Sequence, residues 1–388
     1  MKIEVAKSDL ENALEVPRIA VGSGDGLNSH YLIRVKGGMA EVLTYDASVF
    51  GYSRIAGAKV DAVEGEAFTV DRWRLDKWLA ATPPGKPIIL ESGGDGVVSI
   101  RGGRSKIRLR SLDPKKWRYW DGLADAAKEV GRVAPSSLSR ALTCSRWFVG
   151  GDDTHKPELC QVEAVKGVLW ATDRRALTSV HMPRLPDLAI RIPGTDVAKL
   201  VKFLDSKRTQ EELSIEIREA ERSFEDGGGG CAIFCRPEGS YLGVMRPTSN
   251  FPALSVDSEA EDQVSLKLDR DEFNSALEVL LSGAPKGYPS VTFSYDAAKG
   301  VTLKMPCEAG DVMTYTLQEA KVEAGDQWKS EFTIDYAYLR GIADMFKLTE
   351  LDLGVNERGR SGYVSFRYSD EEEDRMGNRY YSVIVWRS

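Results

Sequence analysis

Apolar residues recur along this chain in two periods, and the switching between them divides it. Runs with apolar residues at alternating positions and Gly-containing turns, YLIRVKGGMAEVLTYD (31–46), CQVEAVKGVLWATD (160–173) and VTFSYDAAKGVTLKM (291–305), predict antiparallel strands. Helical spacing appears in LENAL (10–14), LSRAL (138–142) and FNSAL (273–277), each after a Ser- or Asp-bearing start that reads as a helix N-cap. A second phrase recurs in the same order: FTVDRWRLDKWLA (68–80), IRIPGTDVAKLVK (190–202) and FTIDYAYLRGIAD (332–344). In each, a strand ends at Val70, Ile192 or Ile334 and a helix follows. Aligning those residues superposes Leu75, Val197 and Leu339, then Trp78, Leu200 and Ile342, which is one helical face.

A further strand follows each second helix, in PIILES (87–92), LSIEIRE (213–219) and LDLGVNE (351–357). Each third therefore reads as helix, strands, helix, strands: an α+β module with both helices on one side of antiparallel sheet. The breaks DGLADAAKEVG (121–131) and SVDSEAEDQ (255–263) predict polar or acidic linkers. The expected domains are residues 1–124, 130–256 and 263–388, a division that suits a chain of 388 residues. The stretches EDGGGGC (225–231) and SDEEEDRMGN (369–378) read as surface hairpins.

The helices carry cations. Along 71–80, Leu75, Trp78 and Leu79 share one side while Arg74 and Lys77 stand on another, with Arg72 at the helix start. In the second copy Val197, Leu200, Val201 and Leu204 form the expected buried side, and Lys199 and Lys202 point away. Lys77 and Lys199 are equivalent repeat positions. Arg140 lies opposite the stripe of Leu138 and Leu142. In the third copy Gly341 takes the lysine position, Glu278 decorates the first helix, and Arg340 is the one well-placed cation. A basic helical face is most often merely solvated, but three equivalent faces could line one concave surface that binds nucleic acid.

Composition removes several alternatives. A net charge of −7 argues against a wholly basic nucleic-acid binder, though a basic surface can sit inside an acidic shell. The five cysteines form an odd set and read as reduced thiols. Three scattered histidines give zinc little support, and no cofactor is implied. The chain contains no GxxxxGK[ST] loop, no GxSxG elbow and no metal-spaced carboxylates, so an enzyme is not expected. The opening residues lack the apolar run of a signal peptide, and no run approaches a membrane span, so a cytoplasmic protein is expected.

Five further motifs carry a family likeness: GGRSKIRLRSLDPKKW (102–117), KPELCQV (156–162), ATDRRALTSVHMP (171–183), SNFPAL (249–254) and the terminal YYSVIVWRS (380–388). In this order, on top of the repeats, they resemble the bacterial sliding clamp, the β subunit of the replicative DNA polymerase III, over essentially the whole chain. The resemblance implies three tandem clamp-fold domains with helices inside and sheets outside, and a head-to-tail homodimeric ring around double-stranded DNA. The ring would act as a processivity factor for replication. Contacts in such a ring go to phosphates, because base readout would pin it.

By the same resemblance Arg72, Arg74, Lys77, Arg140, Lys199, Lys202 and Arg340 face DNA. Leu159, Thr172, Arg174, Leu177, Pro252, Val256, Ile384, Trp386 and Arg387 wall a pocket for peptides of the polymerase, the clamp loader and other partners. Leu280 and Leu281 meet Ile107 of a second copy. Four departures stand out. The stretch GSGDGLNSH (22–30) lacks the arginine usual there, Gln161 replaces a glycine, Arg174, Arg175 and Ala176 replace Gly-His-Arg, and Val385 and Trp386 replace Pro and Met. A second reading keeps the fold but makes the chain an interaction module that binds replication proteins without encircling DNA.

Overall fold

A computed structural model describes the chain except residues 25, 94, 118–122, 152–155, 183–184, 186–189, 221–229, 253–263, 286–288, 308–309, 324, 326–327, 329–330, 346–349, 359–360, 370–378 and 388. For residues 123, 344–345, 350–353, 356–358, 361–363, 367–369 and 379–387 it describes the backbone alone.

The order of elements repeats three times. The first copy runs β1 (Lys2–Val5), α1 (Lys7–Ala20), β2 (His30–Lys36), β3 (Met39–Asp46), β4 (Val49–Arg54), β5 (Lys59–Asp61), β6 (Ala67–Asp71), α2 (Arg72–Ala81), β7 (Ile88–Ser92), β8 (Val97–Gly102) and β9 (Ser105–Arg110). After one helical turn, α3 (Leu123–Ala126), the second copy runs β10 (Lys128–Val133), α4 (Pro135–Ser145), β11 (Gln161–Val165), β12 (Val168–Thr172), β13 (Ala176–His181), β14 (Ile190–Pro193), α5 (Gly194–Leu204), the short α6 (Lys207–Gln210), β15 (Ile215–Ala220), β16 (Cys231–Cys235) and β17 (Tyr241–Met245). The third runs β18 (Val264–Asp269), α7 (Arg270–Leu281), β19 (Ser290–Asp296), β20 (Gly300–Pro306), β21 (Val312–Thr316), β22 (Lys321–Glu323), β23 (Phe332–Asp335), α8 (Tyr336–Met345), β24 (Glu350–Arg358), β25 (Ser361–Ser369) and β26 (Arg379–Arg387).

Each copy begins with a strand that the sequence pattern did not disclose, so the expected helix-first module is corrected to strand, helix, strands, helix, strands. The stretch 121–131, expected as a linker, contributes α3 and most of β10, whose backbone groups pair with β15. The strand-like stretch CAIFC is the buried strand β16, so the surface hairpin expected over 225–231 does not extend to Cys231. The rest of that stretch (225–229), the acidic loop 370–378 and the break 255–263 lie outside the described residues, apart from Gly230.

Two compact units emerge, Met1–Ser136 with Ala198–Thr248, and Ser137–Val197 with Ser249–Ser388. The first contains a sheet ordered β6-β2-β3-β4-β17-β16-β15-β10 and a second ordered β5-β1-β7-β8-β9. The second contains β14-β11-β12-β13-β26-β25-β24-β18-β22 and β23-β19-β20-β21. All the strand pairings described are antiparallel, and β4 meets β17 through Val49↔Val244 to Tyr52↔Tyr241 as β13 meets β26 through Ala176↔Ile384 to His181↔Arg379.

Within the first unit α1 lies on β3 and β4 and beside α2, and the core gathers Leu10 and Leu14 of α1, Leu75 and Leu79 of α2, and Ile3, Ile33, Val42 and Leu90 from the sheets. The close approach of α1 to β4 depends on Gly51, where a Cβ would lie 3.1 Å from the Pro17 Cα. The Thr44 hydroxyl donates to the Pro17 carbonyl at 2.9 Å, giving a partner to a C=O that the helix end leaves open. In the second unit α7 lies beside α8 and against β18, β20 and β21.

Candidate nucleic-acid interface and peptide site

Helix α2 starts one residue later than the periodicity predicted, because Asp71 is its cap and accepts the Arg74 N–H at 2.8 Å. Leu75 and Leu79 are buried, and Trp78, half-buried, donates its indole N–H to Ser105 Oγ at 2.9 Å. Arg74 and Lys77 are exposed on the other side, and among the described residues neither has an ion-pair partner. Arg72 turns back along the helix to Asp76, 3.5 Å away. Asp76 also holds Arg18 at 2.9 Å and accepts the Tyr31 hydroxyl. Burial, and then the Asp76 charge, push the Tyr31 phenol well above its ordinary range.

The equivalent helix of the second copy, α5, buries Val197, Leu200, Phe203 and Leu204. Val201, expected inside, is only half-buried, because burial of Phe203 centres the stripe near Leu200, about 100° from Val201. Lys202 is exposed, whereas Lys199 is held by Asp46, with Nζ 2.5 Å from Oδ2. On α4, Arg140 is half-buried beside the buried Leu138, Ala141 and Leu142. On α8, Arg340 is half-buried and paired with Glu278 of α7 at 3.6 Å. Gly341, at the lysine position, lies under Trp147, with no room for a side chain.

Of the predicted peptide-site residues, Thr172, Arg174 and Leu177 lie at the turn between β12 and β13. Asp173 accepts the backbone N–H of Arg175 and Ala176, each at 2.8 Å, and the Tyr338 hydroxyl donates to the same carboxylate. Thr172 is buried and donates to the Ala176 carbonyl at 2.8 Å. Arg174, standing where the resembled family has glycine, adopts φ +75° and reaches Glu158 at 3.2 Å. Its left-handed backbone keeps the turn shape that glycine would allow.

Leu159 is buried, and Leu177 and Pro252 are half-buried. Gln161 is fully buried, and its amide donates to the carbonyls of Glu158 and Ser249, both at 3.2 Å. This side chain ties the strand to the start of the SNFPAL turn. Ile384, Trp386 and Arg387 lie on β26 with backbones opposite Ala176, Gly362 and Ser361, and their side chains lie outside the described residues. Val256 lies outside them altogether.

No protein-family model matches the chain, and no curated protein sequence does. Solved structures do match. The β sliding clamp of Caulobacter crescentus superposes with a TM-score of 0.77 at 16% identity, covering 100% of this chain and 99% of that one. The fold is that of the bacterial sliding clamps. The DNA polymerase III subunit β of Pseudomonas aeruginosa gives 0.76 at 16% identity, and the DNA polymerase sliding clamp of Bacillus subtilis gives 0.77 at 13%, each covering 100% of this chain and 99% of its own.

In this clamp fold the residues expected at a joint between copies separate into two kinds. Leu280 is fully buried in its own unit, on the α7 stripe with Phe273, Ala276 and Leu277, and offers no surface. Leu281, one residue on, is 44% exposed, and Ile107 is half-buried on β9, an open sheet edge. Sequence reasoning missed Trp73, 73% exposed between Arg72 and Arg74, although its place off the apolar stripe was visible. It also missed Asp46 and Trp147, for which no local pattern gives a signal. Among the described residues no group of three or more His, Cys, Asp or Glu side chains could hold a metal, and no helix is long and apolar enough to cross a membrane.

Proposed function

We propose that the chain is a DNA sliding clamp: three clamp domains, residues 1–124, 130–256 and 263–388, forming with a second copy a head-to-tail ring around duplex DNA. One observation carries the reading. Each copy of the repeat supplies a first half-sheet ending at the copy's fourth strand (β4, β13, β21) and a second ending at its last (β9, β17, β26). The first half of copy one joins the second half of copy two through β4 and β17, and copies two and three join likewise through β13 and β26. The halves left over are those edged by β21 and β9. An open strand edge is a template for another strand, so the same joint made between two chains closes the series.

Side chains at the two edges suit each other. Strand β9 presents exposed Lys106, Arg108 and Arg110, while Asp311 is exposed just before β21. Complementary charges of this kind fix the register and suppress wrong pairings. In such a ring Arg74, Lys77 and Lys202 contact phosphates, with Arg72, Arg140 and Arg340 beside them, and the Thr172–Leu177 turn with β26 forms the groove for peptides of a polymerase and a loader. The clamp acts in the cytoplasm, without catalysis or cofactor.

The second reading, a module that binds replication proteins without encircling DNA, draws on the cations that are already paired, Lys199 and Arg340, and on Gly341. Retention on circular but not on linearised duplex separates the two, since topological binding ends when the ring slides off an end. Equal loss from both forms overturns the clamp reading. Nuclease, ligase and ATPase assays on the same protein test the expectation that it catalyses nothing.

A further inference from the structure

Three equivalent positions on the second helices meet three different fates. Lys77 is exposed, Lys199 is bound to Asp46, and Gly341 is roofed by Trp147. Asp46 ends β3, and its carboxylate lies between Lys199 and the start of the loop 22–28. A Cβ on Gly22 would come within 3.0 Å of Asp46 Oδ1 and of Asn28 Nδ2, so the carboxylate occupies space beside the loop that a residue larger than glycine would take. The loop is closed by the Gly22 N–H donating to the Asn28 carbonyl at 2.7 Å, and it is the stretch that carries no arginine.

We propose that Asp46 is a positioning residue that competes with DNA phosphate for Lys199, an internal counter-charge that weakens the clamp's hold on the duplex. The inference rests on the reading that these helices face DNA. A phosphate approaching Lys199 must displace a carboxylate already 2.5 Å away, and the displaced carboxylate then repels it. The exchange returns little free energy, so the contact forms and breaks readily, as movement along a uniform row of phosphates demands. Trp147 over Gly341 produces the same outcome by a different means, deleting the cation at the equivalent place in the third copy. Grip is thereby left to Arg74 and Lys77 of the first copy and Lys202 of the second.

The test is binding of the full chain to a fluorescent duplex over a salt series, for wild type, Asp46→Asn, Lys199→Gln and the double variant. Removing the carboxylate frees one phosphate contact, so Asp46→Asn is expected to bind more tightly and to steepen the log-log salt slope by about 0.9. Lys199→Gln keeps the wild-type slope, and adding Asp46→Asn to it steepens nothing. Asp46→Ser, which also removes the charge, reproduces the slope of Asp46→Asn, and thermal unfolding shows that each variant is folded. An unchanged slope in Asp46→Asn, or an equal steepening in the Lys199→Gln background, overturns the role of Asp46 while leaving the clamp reading intact. Absence of salt-dependent duplex binding by every form, wild type included, overturns the inference, while the clamp reading is decided separately by retention on circles.

Discussion

Trp147 lies against the α8 backbone at Gly341 so closely that an added Cβ would stand 2.5 Å from its Cγ. Gly341→Ala therefore sets two effects against each other. Alanine gains about 1 kcal/mol of helix propensity over glycine, whereas forcing a methyl into a packed contact costs about 1–3 kcal/mol. The steric cost is expected to win in wild type, and the propensity gain in a Trp147→Ala background. Urea unfolding of wild type and the three variants measures the sign in each background.

Leu281 and Leu280 are adjacent on α7 and should respond differently. Leu281→Ala removes exposed surface and is expected to weaken self-association about tenfold, roughly 1.4 kcal/mol, without moving the unfolding midpoint. Leu280→Ala opens a cavity in the unit itself and should cost about 2–5 kcal/mol of folding stability. Light scattering over a dilution series and urea unfolding of each variant check both. A wild type that stays monomeric at micromolar concentration would sink the proposed joint.

Arg236 is a buried cation, its side chain 1% exposed, with Glu15 at 3.0 Å, Ser206 Oγ at 2.7 Å and Thr209 Oγ1 at 2.8 Å. It ties α1 to the start of α6. Arg236→Ala strips three acceptors of their donor at once. Breaking a buried pair costs about 3–5 kcal/mol, and the partial exposure of Glu15 places this one toward the lower end. Glu15→Gln, which keeps an acceptor, should cost less, as thermal unfolding of both variants can show.

Alkali should unfold the protein from inside the first unit. Burial pushes the Cys235 thiol up from 9 to about 12, and burial, followed by the hydrogen bond to Glu41, pushes the Tyr52 phenol up from 10 to about 12. Each group stays protonated longer when folded, so its contribution is complete below the unfolded value and lost as pH rises through the folded one. Stability is expected to be insensitive to these groups at neutral pH and to fall between about 9 and 12. Denaturant midpoints across that range check this, and Tyr52→Phe should make the decline shallower.

Arg174 spends a left-handed backbone on a residue with a Cβ, which costs about 1–2 kcal/mol. Arg174→Gly is expected to hold or raise the melting temperature despite losing the Glu158 contact, while Arg174→Val lowers it, since a β-branched side chain tolerates φ +75° least. Differential scanning calorimetry of the pair against wild type decides.

The sequence by itself determined the threefold repeat, the helices and their inward faces, because these follow from local periods of apolar residues. Leu75, Leu200 and Leu339 are all buried as the spacing predicted. It did not reveal the opening strands β1, β10 and β18, which are short and carry charges on one face, as in KEVGRV of β10. Resemblance named Thr172, Arg174, Leu177 and Ile384 as walls of a pocket, and in the backbone Ile384 stands opposite Ala176. Tertiary structure alone decided which cations remain available. Asp46 reaches Lys199 across 153 residues of chain, and Trp147 covers Gly341 from a stretch remote in sequence. It also decided which of two adjacent leucines faces solvent, and which sheet edges are paired and which left open. Periodicity records what a residue wants from its own helix or strand; a charge neutralised or a surface covered depends on what folding brings against it from elsewhere.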